Sequence, residues 1–162
     1  MKKLILMRHA KSSWDHSALS DHQRPLNLRG KQDAPRMGAH LQEEGVEVDA
    51  ILCSTAQRTR ETLALFLSEY TFQGETLFLD ELYHADLRDY LEALADLPDD
   101  VETAMLIGHN PTMAYALDFF CDENEKFPTA AVAYIEFDTE RWDALIEDHE
   151  GKLLGYWTPK GI

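Results

Sequence analysis

The chain has 162 residues, of which 44% are hydrophobic, and its formal net charge at pH 7 is −15. This composition excludes an intrinsically disordered chain, and the length predicts one domain, residues 1–162, with a hydrophobic core. The negative charge disfavours nucleic acids and anionic membranes as partners, and no apolar run is long enough to cross a bilayer. Because the N-terminus has no signal-peptide pattern, we expect a cytoplasmic protein.

The charge is unevenly distributed along the chain. Ten of the 15 Lys and Arg residues lie within residues 1–62, whereas 22 of the 30 Asp and Glu residues lie within residues 63–162. We expect the acidic part to serve solubility. The arginines of the first part are candidates for binding an anion.

Four short apolar runs, each followed by polar residues, predict buried strands of a parallel sheet. The runs occupy residues 4–7, 48–53, 76–79 and 103–107. In open α/β sheets, ligands bind beyond the carboxyl ends of the strands. If the strands are parallel neighbours, one edge of the sheet gathers the polar side chains of Arg8, His9, Arg58, Glu81 and His109.

Helical patterns alternate with these strands. The first covers residues 28–44, with Asn27 as its cap and Gly45 as its stop, and Pro35 predicts either a kink or a later start. Two more helices are predicted at residues 57–69 and 87–97. The fourth is predicted to end near residue 121, with Asn110 as its cap and Pro111 at its first position.

Two further strands are predicted near the C-terminus, at residues 131–137 and 152–158. We expect them to pair as an antiparallel arm at one edge of the sheet. Residues 10–27 are predicted to form a polar loop. Strands that alternate with helices indicate an α/β fold, here a three-layer α/β/α sandwich with a mostly parallel sheet.

Each polar residue at the strand ends has a plain structural alternative. His109, which precedes Asn110 and Pro111, can be a turn residue. Arg58 can be a solvated helix residue, and Glu81 can be an acidic residue at a helix start. Their occurrence together, with the chemistry of one reaction, favours a catalytic site.

In combination these motifs resemble the histidine phosphatase superfamily, the phosphoglycerate mutase-like group, and most of all its SixA-type phosphohistidine phosphatase branch. The resemblance extends from residue 1 to about residue 160. Ala10 stands where the superfamily usually has Gly, and the helical insertion that caps the site in mutases is absent. The matching motifs are Arg8-His9-Ala10-Lys11-Ser12-Ser13-Trp14, Arg24-Pro25-Leu26 with Gly30, Ser54-Thr55-Ala56-Gln57-Arg58-Thr59-Arg60-Glu61-Thr62, Glu81-Leu82-Tyr83 and Gly108-His109-Asn110.

The resemblance implies a phosphatase that forms a phosphohistidine on His9. A neutral imidazole would attack phosphorus through a ring nitrogen. Arg8 and Arg58 would bind phosphoryl oxygens, since planar guanidinium groups suit phosphate, and their charge disfavours imidazolium. His109 would donate a hydrogen bond to a phosphoryl oxygen, and Glu81 would protonate the leaving group.

Three other residues are candidates for substrate binding. Arg24 resembles a residue near the phosphate in the SixA-type group, and Asp15 lies near a loop position that contacts phosphate in mutases. Asn110 follows His109 directly, with a surface role as its alternative.

No metal ion or cofactor is implied, because neither the cysteines nor the remaining histidines show ligand spacing. Cys53 and Cys121 lie far apart in apolar segments, so we expect buried thiols rather than a disulfide. The histidines without ligand spacing are His16, His22, His40, His84 and His149.

The expected substrate is phosphohistidine on a protein. Two alternatives remain open at this point. One is a small-molecule phosphomonoesterase of the same superfamily. The other is a non-catalytic phosphate-binding module, which would need the arginines but neither His9 nor Glu81.

Overall fold

The computed structural model describes residues 1–147 and 150–162, so His149 lies outside the described residues. Six strands form one sheet in the order β3-β2-β4-β1-β5-β6. The strands are β1 (Lys2–Arg8), β2 (Ala50–Ser54), β3 (Glu75–Leu79), β4 (Thr103–Gly108), β5 (Val132–Phe137) and β6 (Gly151–Trp157). The helices are α1 (Leu28–Glu43), α2 (Gln57–Leu67), α3 (Leu87–Ala95) and α4 (Thr112–Cys121).

The predicted sheet is confirmed. Strands β1, β2, β3 and β4 pair in parallel, and β5 and β6 form an antiparallel arm beside β1. In the central pair, Arg8 of β1 lies opposite Gly108 of β4. The carboxyl ends of all four parallel strands therefore meet at one edge.

The two faces of the sheet are buried by different helices, which gives the predicted three layers. Strand β1 shows the alternation, because successive side chains of a strand point to opposite faces. Leu4 and Leu6 join the core that contains residues of α3 and α4. Ile5 and Met7 join the core that contains residues of α1 and α2. All four side chains are fully buried.

Helix α1 begins where the sequence predicts. The Asn27 side chain accepts a hydrogen bond from the Gly30 amide at 2.9 Å, and Gly45 follows the helix with a φ of 71°. A late start because of Pro35 is wrong, since the helix begins at Leu28. One missing backbone donor does not end it, because apolar side chains before and after Pro35 are anchored in the core.

Two local predictions need correction. Strand β3 is not buried: it is the outermost strand, and Leu77 and Phe78 are exposed. Helix α4 begins at Thr112 with Pro111 as its cap residue, one residue later than predicted, although the Asn110 side chain still accepts a hydrogen bond from the Ala114 amide at 3.3 Å. The Met113 amide donates to the His109 carbonyl at 3.0 Å.

Both cysteines are free, and Cys53 is buried whereas Cys121 is half-buried. Within residues 1–147 and 150–162, no helix has the length and apolar character needed to span a bilayer.

Candidate active site

Two histidines lie side by side at the carboxyl edge of the sheet. The pairing of Arg8 with Gly108 places the next residue of each strand, His9 and His109, next to each other. The His9 amide donates to the Gly108 carbonyl at 3.1 Å, and the two imidazole ring centroids are 5.3 Å apart. Strand pairing alone therefore builds the centre of the candidate site.

The backbone selects the tautomer of His9. Its Nδ1 lies 2.7 Å from the Ala10 carbonyl oxygen, and a carbonyl can only accept a hydrogen bond. Nδ1 therefore carries the hydrogen, which leaves the lone pair on Nε2. The Ala10 amide donates to the Thr62 hydroxyl of α2 at 3.0 Å, which holds the segment that orients this ring.

Both imidazoles are held neutral. Burial is the main cause that lowers the pKa of His9 to about 3, and the neighbouring basic groups, among them the Arg58 and Arg8 guanidiniums, lower it further. Burial also lowers the pKa of His109 to about 3, followed by the charge of Arg58. A neutral ring keeps its lone pair, so at physiological pH His9 has the protonation state that a nucleophile requires.

Arg8 reaches the same edge with part of its donor capacity unused. Its Nη1 donates to the Phe127 carbonyl at 3.0 Å, whereas its buried Nε has no partner within the described structure. Burial and the charge of Arg58 lower the pKa of Arg8. The Asn110 amide donates to the same Phe127 carbonyl at 2.9 Å, so Asn110 anchors the loop that holds Arg8.

The carboxylate of Asp21 connects two arginines and a tyrosine. Arg58 donates through Nη2 to Oδ2 of Asp21 at 3.1 Å and through Nη1 to the Asp21 carbonyl at 2.8 Å. The Tyr83 hydroxyl donates to Oδ2 at 2.6 Å, and Arg24 donates through Nη1 to Oδ1 at 2.9 Å. The Tyr83 bond first, then those of the arginines, lower the pKa of Asp21.

Arg24 is buried and fully engaged. Its Nε donates to the Ser13 carbonyl at 3.0 Å, and its Nη2 donates to the Ser12 hydroxyl at 2.6 Å. The Trp14 ring stacks on the guanidinium, with 3.3 Å between Cζ and the ring centroid. In this arrangement Arg24 holds residues 12–24 together through hydrogen bonds. Its binding of a phosphoryl group stays a prediction.

His109 is fixed by two neighbouring side chains. Its Nε2 lies 2.8 Å from the hydroxyl oxygen of Ser54, which is fully buried at the end of β2. The His109 amide donates to the Tyr90 hydroxyl at 3.0 Å. Gly108 permits this contact, since a Cβ there would collide with that hydroxyl. The buried Nδ1 of His109 has no partner in the described part of the chain.

Some of these side chains line a pocket of about 410 Å³, whose walls include Arg58, Tyr83, His109, Asn110 and Tyr115. His9 and Arg8 are not among its walls, and His9 is next to the pocket through its contact with the His109 ring. The guanidinium of Arg58 and the imidazole of His109 suit an anion with several oxygens.

The structure does not bring every predicted residue into this cluster. Asp15 is exposed, and the contact recorded for it is a bond from its backbone amide to Ser13. Glu81 is also exposed and lines a separate hollow with Asp89 and Glu92 of α3. No recorded hydrogen bond or ion pair between described residues joins Glu81 to His9 or His109.

Sequence reasoning missed the roles of Asp21, Ser54 and Tyr83. A Ser20-x-x-Gln23 capping box marks the short 3-10 helix Asp21–Gln23 inside the predicted loop, and this signal was readable from the sequence. Ser54 had a signal too, because it ends strand β2, which pairs with β4, the strand that delivers His109. Tyr83 had none, since its role depends on where residues 20–24 fold.

Within residues 1–147 and 150–162, no group of three or more His, Cys, Asp or Glu side chains is arranged to hold a metal ion.

Comparison with known proteins decides the family. The model of the histidine phosphatase superfamily, branch 1, matches residues 4–89, which is more than half of the chain. The chain belongs to the histidine phosphatase superfamily. The resemblance given by the sequence motifs is thereby confirmed.

Individual relatives of this histidine phosphatase agree with that assignment. The uncharacterised protein Rv1276c of Mycobacterium tuberculosis is 33% identical, over 95% of this chain and 100% of the relative. Phosphohistidine phosphatase SixA of Escherichia coli is 27% identical, over 84% of this chain and 86% of SixA. The solved structure of the protein histidine phosphatase SixA complexed with tungstate has a TM-score of 0.80 and 25% identity, over 98% of this chain and 97% of that one.

Loss of the Ser54 hydroxyl should weaken the site through His109. In Ser54→Ala, the imidazole loses the partner that fixes its ring nitrogen Nε2. We expect kcat/KM on a small phosphoramidate to fall about 3- to 10-fold, the equivalent of one hydrogen bond of about 0.5–1.5 kcal/mol. Ser68→Ala, which removes an exposed hydroxyl bonded to the Leu65 carbonyl at the end of α2, is the control and should leave the rate unchanged. Equal rates in both variants would contradict the role of Ser54.

The neutral histidines should be visible in a pH titration. An unperturbed histidine titrates near pH 6.5, whereas the lowered pKa values of about 3 keep His9 and His109 neutral far below that. We expect their Cε1–H signals to stay at the neutral-imidazole position from pH 8 to pH 5. Between about pH 6.5 and 3 the unfolded chain binds protons that the folded chain does not, so these residues should lower stability as the pH falls. Signals from either ring that titrate near pH 6.5 would contradict this.

Proposed function

We propose that this chain is a phosphatase that works through a covalent phosphohistidine on His9, most of all on phosphohistidine carried by a protein. The observation that carries the proposal is the state of His9: a neutral ring with its Nδ1 bound to the Ala10 carbonyl and its Nε2 lone pair free. Around it lie Arg8, Arg58 and His109, whose donors suit a phosphoryl group.

The reaction has two steps. First, Nε2 of His9 attacks phosphorus, a nitrogen–phosphorus bond forms on the enzyme, and the bond from phosphorus to the leaving group breaks. Water then attacks the phosphorylated His9, which releases inorganic phosphate and restores the neutral ring. The arginines stabilise the negative charge on the phosphoryl oxygens in both steps, which is the work that a metal ion does in other phosphatases.

Two observations support a phosphohistidine protein as the substrate. The name of the E. coli relative, phosphohistidine phosphatase SixA, states that activity for a protein 27% identical to this one. The pocket is also open, which leaves room for a side chain presented by a folded protein. For a phosphorylated imidazole, the second ring nitrogen can hold the proton that the leaving group needs.

Glu81 as the proton donor remains a proposal, and it concerns alkyl phosphates above all. An alkoxide is a strongly basic leaving group, so its protonation is essential, whereas imidazole can leave in neutral form. The exposed position of Glu81, away from the pocket, fits a substrate that needs little help from the enzyme.

The covalent intermediate can be trapped. We expect brief mixing with ³²P-labelled phosphoimidazole and an alkaline quench to leave label on the protein, and acid to remove it, since the phosphorus–nitrogen bond of phosphohistidine is acid-labile. His9→Ala should abolish the label. His16→Ala, which removes an exposed histidine from the following loop, is the control and should retain it. Label that persists in His9→Ala would refute the nucleophile.

The variant Glu81→Gln distinguishes a phosphohistidine phosphatase from a small-molecule phosphomonoesterase. We expect kcat/KM for an alkyl phosphate to fall by about 10²–10⁴-fold and that for phosphoimidazole to fall much less, since only the alkoxide requires a general acid. Equal losses on both substrates would mean that Glu81 acts other than by protonating the leaving group. No loss on either would leave Glu81 as a solvated surface charge.

A further inference from the structure

Beside the pocket, two chain segments form a small paired surface. Residues 11–14 run antiparallel to residues 24–29, with an isolated bridge between Ser12 and Leu26. The Ser13 amide donates to the Pro25 carbonyl at 2.8 Å, and the Asn27 amide donates to the Lys11 carbonyl at 2.9 Å. We call residues 11–14 and 24–31 the rim platform, since they follow His9 directly and extend into the first turn of α1.

The rim platform carries the two most exposed large hydrophobic side chains recorded in the described structure. Trp14 is 75% exposed and Leu28 is 73% exposed. One contact of the Trp14 ring is the buried guanidinium of Arg24, so most of the ring faces solvent. The register of Ser12 with Leu26 places Trp14 and Leu28 at opposite ends of the platform, and the Arg24–Asp21–Arg58 bonds join the platform to the wall of the pocket. Exposed large apolar side chains on one surface mark contacts with another protein, and tryptophan is among the residues most enriched at the centres of such contacts.

The same surface is positively charged, although the whole chain has a net charge of −15. Arg29 and Lys31 are exposed in the first turn of α1, and Lys11 is half-buried beside them. Four carboxylates lie at the border of this surface: Asp21 pairs with Arg24, Asp33 pairs with Arg29 at 3.4 Å, Glu61 accepts from the Leu26 amide at 3.1 Å, and Asp15 is exposed. No ion pair is recorded in the described part of the chain for Lys11 or Lys31, and these two unpaired cations favour an acidic partner.

We propose that the rim platform is the docking surface for an acidic protein that carries the phosphoryl group to His9. Trp14 and Leu28 are its apolar anchors, and Lys11, Arg29 and Lys31 match the partner's carboxylates. This inference rests on the proposed phosphatase function. It adds to that function the surface by which the enzyme selects among phosphorylated proteins.

The test is a pair of double variants with the same change of charge. Leu28→Glu with Arg29→Glu removes an anchor and reverses a cation on the platform. Leu154→Glu with Arg88→Glu is the matched control, on β6 and in the first turn of α3. Both leucines are exposed, and each arginine is the second residue of its helix and pairs with a carboxylate four residues later.

The kcat/KM of each variant is measured on two substrates. One is an acidic helical protein with a single exposed histidine that has been phosphorylated chemically with phosphoramidate, and the other is phosphoimidazole. We expect the platform variant to lose about tenfold or more in kcat/KM on the protein, mainly through KM, and to keep its rate on phosphoimidazole. The control variant should stay within about twofold of the parent enzyme on both. Added salt should slow the parent enzyme on the protein and slow the platform variant less.

The outcomes distinguish this inference from the function on which it rests. Equal losses in the platform and control variants would show a general effect of charge and would overturn the docking surface alone. No loss of kcat/KM on the protein substrate in the platform variant would also overturn the docking surface alone. A parent enzyme that hydrolyses phosphoimidazole but no phosphoprotein would overturn both the docking surface and the proposed protein substrate.

Discussion

The site depends on one backbone constraint, the register between strands β1 and β4. Because Arg8 pairs with Gly108, the next residue of each strand is an imidazole, and the two rings meet at the carboxyl edge. A slip of one residue would turn the side chains of a strand to the opposite face of the sheet. The apolar run of β1 covers residues 4–7 and is buried on both faces, so a slip in either direction would move Lys3 or Arg8 into a position that a fully buried apolar side chain now occupies. The hydrophobic core thereby fixes the position of His9.

Burial then determines the chemistry of the paired rings. Desolvation, more than the neighbouring arginines, keeps His9 neutral, because an imidazolium there would lose its hydration next to other cations. The Ala10 carbonyl completes the arrangement by holding the hydrogen on Nδ1. In the proposed reaction, His9 would therefore not have to lose a proton before it attacks phosphorus, and such preorganisation is how electrostatic catalysis avoids a cost of reorganisation.

The sequence was sufficient for the sheet, its edge arm and four of the five residues predicted at the strand ends, because these follow from apolar runs and the geometry of parallel strands. Glu81 is the exception, since it lines a separate hollow. The sequence pattern misassigned β3 as buried, since a short apolar run looks the same in an edge strand and in a central one. It also placed the start of α4 one residue early, at Pro111 rather than Thr112, because the residue preferences at helix starts carry no information about backbone bonds such as that from the Met113 amide to the His109 carbonyl.

The network around Asp21 lay beyond the sequence for a different reason. Its members come from three separate segments, and their meeting depends on the fold of residues 20–24 rather than on any local pattern. Single-sequence reasoning detects spacing within a segment, such as the three positions from Asp21 to Arg24, but not the contact between Asp21 and Tyr83.

The carboxylate of Asp21 has a consequence for the last step of the proposed reaction. It is an anion built into the protein, and it pairs with Arg58 and Arg24, the arginines that are candidates for binding a phosphoryl group. In that reaction, free phosphate and Asp21 would compete for Arg58. Such competition would weaken the binding of inorganic phosphate, a product that resembles the substrate in charge and shape. The acidic side chain that pairs with the arginines would thereby favour departure of the phosphate.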